Sequence, residues 1–102
     1  MAKGYWVGRV DVIDPEAYRA YGVALAEVLR KYGAKFVVRG GTFEAVEGEA
    51  RERNVVIEFD DYATALASYH SPEYTKAKAL RAAAVDIDVI VIEGYDGPQP
   101  TG

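Results

Sequence analysis

The sequence of 102 residues contains no cysteine and only one histidine. Without cysteine there is no disulfide framework, no thiolate nucleophile, no cysteine-ligated zinc and no iron–sulfur cluster. A lone histidine has no second imidazole with which to build a typical metal or haem site, so neither a metal nor a cofactor is expected. No apolar run approaches the roughly 20 residues that cross a bilayer, and the first residues, MAKGYWVGRV, lack the apolar stretch of a signal peptide. The chain therefore reads as cytoplasmic, with no membrane partner. Lysine and arginine number 12 against 16 acids, a net charge of −4, and the cations are scattered. Nucleic-acid binding, which draws on clustered cations, is not expected. Walker sequences, Gly-x-Gly signatures, a Ser-His-Asp order and metal-spaced His/Glu pairs are also missing.

What is present is apolar and aromatic. Half the residues are hydrophobic and eight are tyrosine. A chain of this length is one domain that buries less than about 70% of its surface alone, so some of the large side chains are expected to meet a partner. Residues 1–95 are expected to form the domain and residues 96–102, DGPQPTG, a flexible tail with turn residues and no apolar anchor.

Gly4 to Val12 is a strand candidate, rich in β-branched and aromatic residues. Asp14-Pro15-Glu16 then starts a helix, with Asp14 as cap and Pro15 at the first position. Tyr18, Tyr21, Leu25, Val28, Leu29 and Tyr32 recur on one helical face, Arg19, Glu27, Arg30 and Lys31 fall opposite, and Gly33 is the stop. AKFVVRGGTFEAV reads as a strand interrupted at Gly40-Gly41, EGEARER as a charged loop, and Asn54 to Phe59 as the next strand. Asp60 or Asp61 caps a short helix with Tyr62, Leu66 and Tyr69 on one side. Ser71-Pro72-Glu73 repeats the earlier start signal and opens another, with Ala77, Leu80 and Ala84 inward and an end near Val85. VDIDVIVIEGY supplies the last strand. The order β-α-β-β-α-β, with the second helix broken in two, predicts an α+β fold of the ferredoxin-like, split β-α-β type, a four-stranded antiparallel sheet with helices on one face.

Strand alternation divides the two faces. Val55, Ile57 and Phe59, with Ile87, Val89 and Val91, are assigned to the helices; Val56, Glu58, Asp88, Ile90 and Ile92 fall on the other face, joined by Tyr5, Val7, Arg9, Val37 and Arg39. That second face is too apolar for water and too charged for an ordinary core. A two-fold partner laying its own sheet across it would bury the apolar part, so a homodimer is expected.

The segments DPEAYRAY, KYGAKFVVRGG, VVIEFDD, SPEYTKAKALR and VIEG together resemble the family called Domain of Unknown Function 1330, within the dimeric α/β-barrel superfamily. The resemblance covers roughly Gly4 to Gly94 and implies a ferredoxin-like protomer whose sheet packs on a second copy. It implies no reaction. Arg39, Gly40, Gly41, Glu58, Ser71, Pro72, Tyr74 and Arg81 match recurring family positions without assigned roles. The wider superfamily includes cofactor-free monooxygenases, lactone isomerases and haem enzymes.

Chemistry is sought at few positions. Glu58, on the second face between Ile57 and Phe59, is a candidate general base whose pKa burial would raise; it is equally a candidate for an ion pair with Arg9 or Arg39. Arg39 with Gly40-Gly41 is a candidate clamp for a carboxylate or phosphate, or a glycine bulge that bends a long strand. His70 is a candidate base, or the residue that closes a short helix. Tyr74, Lys78 and Arg81 form a stripe that either lines a cleft mouth or faces solvent, and Tyr18 and Tyr21 belong either to the rim of the core or to the site. The ligand-binding candidates are thus Arg9, Arg39, Tyr18, Tyr74 and Arg81. Two functions remain open: a metal-free enzyme doing proton transfer, isomerisation or oxygenation on a small aromatic or carboxylated compound, and a non-catalytic dimer that binds a small ligand.

Overall fold

Trp6 and Val10 point from the first strand, β1 (Gly4–Val12), into the core, and the rest of the fold is arranged around them. The structure, a computed structural model, describes residues 2–101. Met1 and Gly102, the outer ends of the expected domain and tail, lie outside the described residues. Seven elements follow the expected order: β1, α1 (Pro15–Lys31), β2 (Lys35–Arg39), β3 (Arg53–Phe59), α2 (Tyr62–Tyr69), α3 (Pro72–Ala79) and β4 (Val85–Glu93). The sheet is antiparallel in the order β2-β3-β1-β4, so the first strand of the chain is central and pairs on both edges. Val7 lies opposite Val56 on one side and Ile90 on the other. This is the ferredoxin-like α+β arrangement.

Each helix starts as its sequence dictates. Asp14 accepts from the amides of Glu16 and Ala17, Asp61 from Thr64, and Ser71 from Tyr74, which satisfies amides that have no partner inside the helix. Pro15 and Pro72 occupy positions where a missing N–H costs nothing. Tyr21, Leu25, Val28 and Leu29 of α1 pack with Trp6, Ile57, Phe59, Ala65, Tyr74 and Ala77 in one core. Trp6 meets Phe59, Tyr69 and Tyr74 ring to ring and donates its indole N–H to the Ala65 carbonyl at 2.8 Å.

Four details differ from the sequence-based expectation. The second strand stops at Arg39, because Gly40 and Gly41 both take positive φ, 73° and 82°, and turn the chain out of the sheet; residues 41–46 form no strand. A bulge between Phe36 and Val38 adds one residue to β2, so Val38 opposes Val56 and Arg39 opposes Val55. Arg39 therefore moves to the helix side of the sheet, against its expected place on the second face. In α2 the inward residues are Ala65 and Ser68, both fully buried, while Tyr62 is exposed, because the helix sits too close to β1 for anything large. A Cβ on Gly4 would lie 2.3 Å from the Asp61 carbonyl oxygen, which shows how close the approach is. Finally, α3 ends at Ala79 and a run of turns reaches β4, which leaves Leu80 outward and 48% exposed.

Candidate ligand-binding site

Pro15, Arg19, Gly22, Ala26 and Arg30 recur every three or four residues and so share one face of α1. Gly22 and Ala26 give that face no bulk at its middle. Opposite stand Val12 at the end of β1, Arg39 at the end of β2, and Glu52 and Arg53 at the start of β3, and the space between is an open groove of about 820 Å3. A Cβ built on Gly22 meets nothing within 4 Å, so the groove floor is empty at that point. Beneath α1 lies a second, smaller space of about 40 Å3, bounded by Trp6, Gly8, Tyr21, Leu25 and Ile57. It exists because Gly8 lies between Trp6 and Val10 on the covered face of β1 and contributes no side chain there. Tyr18 borders both spaces and is the wall between them.

The groove is cationic although the chain is acidic. Arg19, Arg30, Arg39 and Arg53 line it against two acids, Glu27 and Glu52. Glu27 pairs with Arg30 at 2.7 Å, and Glu52 accepts the Val12 amide at 2.6 Å. Among the described residues no carboxylate lies within ion-pair distance of Arg19, Arg39 or Arg53. The Arg39 guanidinium stacks on the Phe36 ring at 4.3 Å, and that of Arg53 faces Tyr18 at 5.7 Å. The Gly40 amide donates to the Asn54 carbonyl at 3.0 Å, so it is not free to join an anion nest with Arg39, and the bulge expected at the glycines lies at Val37 instead.

Of the residues singled out from sequence, Tyr18 and Arg39 line this groove and the others do not. Glu58 lies on the opposite face with its side chain 18% exposed; Lys35 pairs with it at 3.3 Å and Tyr5 donates to it at 3.2 Å. Its expected partners, Arg9 and Arg39, are elsewhere: Arg9 bonds Asp88 at 2.9 Å, and Arg39 is on the other side of the sheet. Desolvation raises the Glu58 pKa most, but the bonds and charge of Lys35 and the Tyr5 hydroxyl together outweigh it and hold the carboxyl below its ordinary value. The expected upward shift is thus reversed, and Tyr5 is correspondingly raised by burial and by Glu58. Asp88 also takes Arg51 at 3.0 Å, making an exposed cluster of Arg9, Arg51, Asp11 and Asp88 at one end of the face.

Tyr74 and Arg81, placed on a cleft mouth or a solvated stripe by their spacing, are 1% and 6% exposed. The turn after Ala79 changes the direction of the chain and carries Arg81 inward, where it donates to the Tyr74 hydroxyl. Lys78 alone of the three is not buried, and its half-buried chain lies over the Tyr69 ring. Tyr21 is buried in the core. His70 closes α2, its amide donating to the Leu66 carbonyl, and its exposed ring stands edge to face with Tyr69 at 5.5 Å. Sequence reasoning puts Arg53 in the charged loop EGEARER and Arg19 on the polar face of the helix, and does not single out Gly22. Their spacing with Pro15, Ala26 and Arg30 is the signal that identifies the groove wall.

Among the described residues no three His, Asp or Glu side chains converge as metal ligands, and no helix is long and apolar enough to cross a membrane. The domain of unknown function DUF1330 matches residues 3–95. No curated protein matches the sequence. A crystal structure of a protein of unknown function from Rhodopseudomonas palustris is similar, with 24% identity, a TM-score of 0.75, and coverage of 94% of this chain and 85% of that one. A dimeric ferredoxin-like protein of unknown function from Thermobifida fusca is 14% identical at a TM-score of 0.60, covering 89% and 90% of the two chains. SnoaB, a cofactor-independent oxygenase from Streptomyces nogalater, is 13% identical at a TM-score of 0.63, with 98% and 99% covered.

Proposed function

The chain belongs to the DUF1330 family, and from that premise we propose that it is a homodimer that binds a small aromatic or carboxylated compound in the groove between α1 and the ends of β2 and β3. The observation that carries this reading is the groove itself, whose size is that of a small-molecule site and whose wall, Tyr18, is shared with a cavity reaching Trp6. The dimer is supported by the uncovered sheet face, where Ile90, Ile92 and Val38 are 55%, 47% and 41% exposed around Val7 and Val56. The dimeric description of the Thermobifida fusca structure supports the same assembly.

Trp6 is the single tryptophan, which makes its fluorescence a site-specific reporter. Titration with benzoate, salicylate and cinnamate is expected to give a saturable change in at least one case. Gly22→Leu, which fills the groove floor and favours the helix, should abolish it without lowering the melting temperature. The absence of any saturable response up to millimolar concentration would sink the reading.

A second, catalytic reading is favoured by the likeness to SnoaB: oxygenation without a cofactor, with the substrate extending past Tyr18 toward Tyr21. Oxygen uptake on mixing with a ligand found by the titration separates an enzyme from a binding protein.

A further inference from the structure

We infer that the ligand of this groove is an anion with an apolar body, held by a two-arginine clamp of Arg39 and Arg53; this rests on the groove being the binding site. The first support is charge. A chain of net charge −4 gathers four arginines along one groove, and of the two acids there, one is paired with Arg30 and the other accepts a backbone amide. Arg39, exposed, and Arg53, half-buried, are left with ring faces and no carboxylate among the described residues, and a cation without a counter-charge is cheap only while water reaches it.

Hydrogen-bonding capacity is the second support. The Nε of Arg53 is buried with no protein partner among the described residues, so the guanidinium holds a donor that the fold itself does not use. A guanidinium fork of this kind suits carboxylate and sulfonate oxygens, which accept two parallel N–H bonds. Gly40 beside it is favoured by its positive φ of 73°, while a Cβ there would make only an ordinary contact with the Arg53 Nη2 atom at 3.5 Å.

The third support is the bulge in β2. Without the extra residue at Val37, alternation would put Arg39 on the far face of the sheet with Val56; with it, Arg39 opposes Val55 and enters the same groove as Arg53. Beyond the clamp, Gly22, Val23 and Ala26 offer an apolar floor leading to the Tyr18 ring, so the ligand's body lies along α1 with its charge at the β2 and β3 ends.

The test uses two dyes of one ring skeleton, the anionic 1-anilinonaphthalene-8-sulfonate and the neutral N-phenyl-1-naphthylamine, titrated into the full chain by fluorescence. The sulfonate is expected to bind at least about tenfold more tightly, and Arg39→Gln and Arg53→Gln should each cost it about tenfold while moving the neutral dye less than about twofold. Sodium chloride should weaken the sulfonate alone. If Arg53→Gln fails to fold, Arg53→Lys, which keeps the charge and loses the fork, and the exposed Arg39→Gln carry the same comparison. Equal binding of the two dyes, indifferent to both arginines yet lost in Gly22→Leu, would overturn the anion clamp and leave the groove standing. Binding of both dyes that survives Gly22→Leu would overturn the groove and the clamp together.

Discussion

Tyr21 and Tyr74 meet hydroxyl to hydroxyl at 2.8 Å inside the core, and Arg81 donates to the Tyr74 oxygen at 3.1 Å. The two tyrosines come from α1 and α3, so the contact ties together helices that lie far apart in the chain. Burial above all pushes the Tyr21 phenol far above its ordinary value, which keeps it neutral and available as a donor or acceptor. Arg81 stands beneath the Tyr21 ring at 5.1 Å and has no carboxylate partner among the described residues. The Tyr74 oxygen and the Tyr21 ring offset part of the cost of its burial, while its Nε has no partner among the described residues.

Tyr74→Phe removes the oxygen that Arg81 uses and is expected to cost about 2–3 kcal/mol, the range for a hydrogen bond to a charged group left unmade. Tyr21→Phe, which loses a neutral bond, should cost about 1 kcal/mol. Arg81→Met removes the charge together with its need for a partner and should cost less than Tyr74→Phe. Urea denaturation of the three variants checks the order. A Tyr74→Phe midpoint equal to wild type would show that the guanidinium is satisfied in another way.

Gly4 and Gly8 lie on the same strand and predict opposite outcomes. Gly4→Ala drives a methyl group into the Asp61 backbone at 2.3 Å and should cost about 3 kcal/mol or more, since both atoms belong to packed elements. Gly8→Ala meets its nearest atoms at 3.9 Å, partly fills the inner cavity, and should be neutral or stabilising by up to about 1 kcal/mol. Thermal melts distinguish them. Equal melting temperatures would mean that α2 moves away from β1 at little cost.

The element order, the caps and the covered face were legible because each rests on local signals: Asp14-Pro15 and Ser71-Pro72 for helix starts, and the alternation of Ile57 and Phe59 for the core. The site was less legible. Arg39 changes face through one inserted residue, and nothing in KFVVRGG distinguishes a bulge at Val37 from a bend at the glycines. Glu58 meets Lys35 because the β2–β3 register sets the two residues opposite each other ahead of the bulge, which no reading of β3 alone supplies. Arg81 went inward because α3 stopped early, and helical spacing projected past Ala79 puts it on the wrong side.

Several carboxylates define the acid limb of stability. Asp61 is held below its ordinary value first by the Thr64 backbone bond, and Asp88 first by its bond with Arg51. A lowered folded pKa means that the unfolded chain takes up protons first, so the stability these groups give is present above the ordinary carboxylate range and is lost as pH falls from there through their lowered folded values. Asp61→Asn keeps the capping oxygen and removes the titration. The difference in urea midpoint between pH 7 and pH 3 should therefore be smaller in Asp61→Asn than in wild type. An unchanged difference would assign the acid limb to other groups.

The sheet face bearing Val56 and Ile90 supplies the dimer prediction. Val7 pairs with both, so a lysine at either position places a charge in the middle of the proposed intersheet contact. Light scattering is expected to give a dimer for wild type and a monomer near the chain mass of 11.1 kDa for Val56→Lys or Ile90→Lys. A wild-type monomer at micromolar concentration would remove the assembly from the proposed function while leaving the groove untouched.

In the segment YHSPEY two helices meet. Ser71 is 4% exposed, accepts the Tyr74 amide at 3.1 Å and donates to the Ser68 carbonyl at 2.8 Å, so its hydroxyl serves both helix ends. Ser71→Ala is expected to cost about 1–2 kcal/mol, the upper part of the range for a lost cap, because a second buried bond goes with it. His70 is exposed and meets only the Tyr69 ring edge among the aromatic groups, so His70→Ala should cost less than about 1 kcal/mol. General-base catalysis leaves a different mark. Once an activity is in hand, a His70→Ala variant with an unmoved melting curve and turnover lowered by about 100-fold would make His70 a catalytic residue. The expected result is the reverse for the pair: Ser71→Ala shifts the melt, His70→Ala barely does, and neither changes the turnover of the folded fraction.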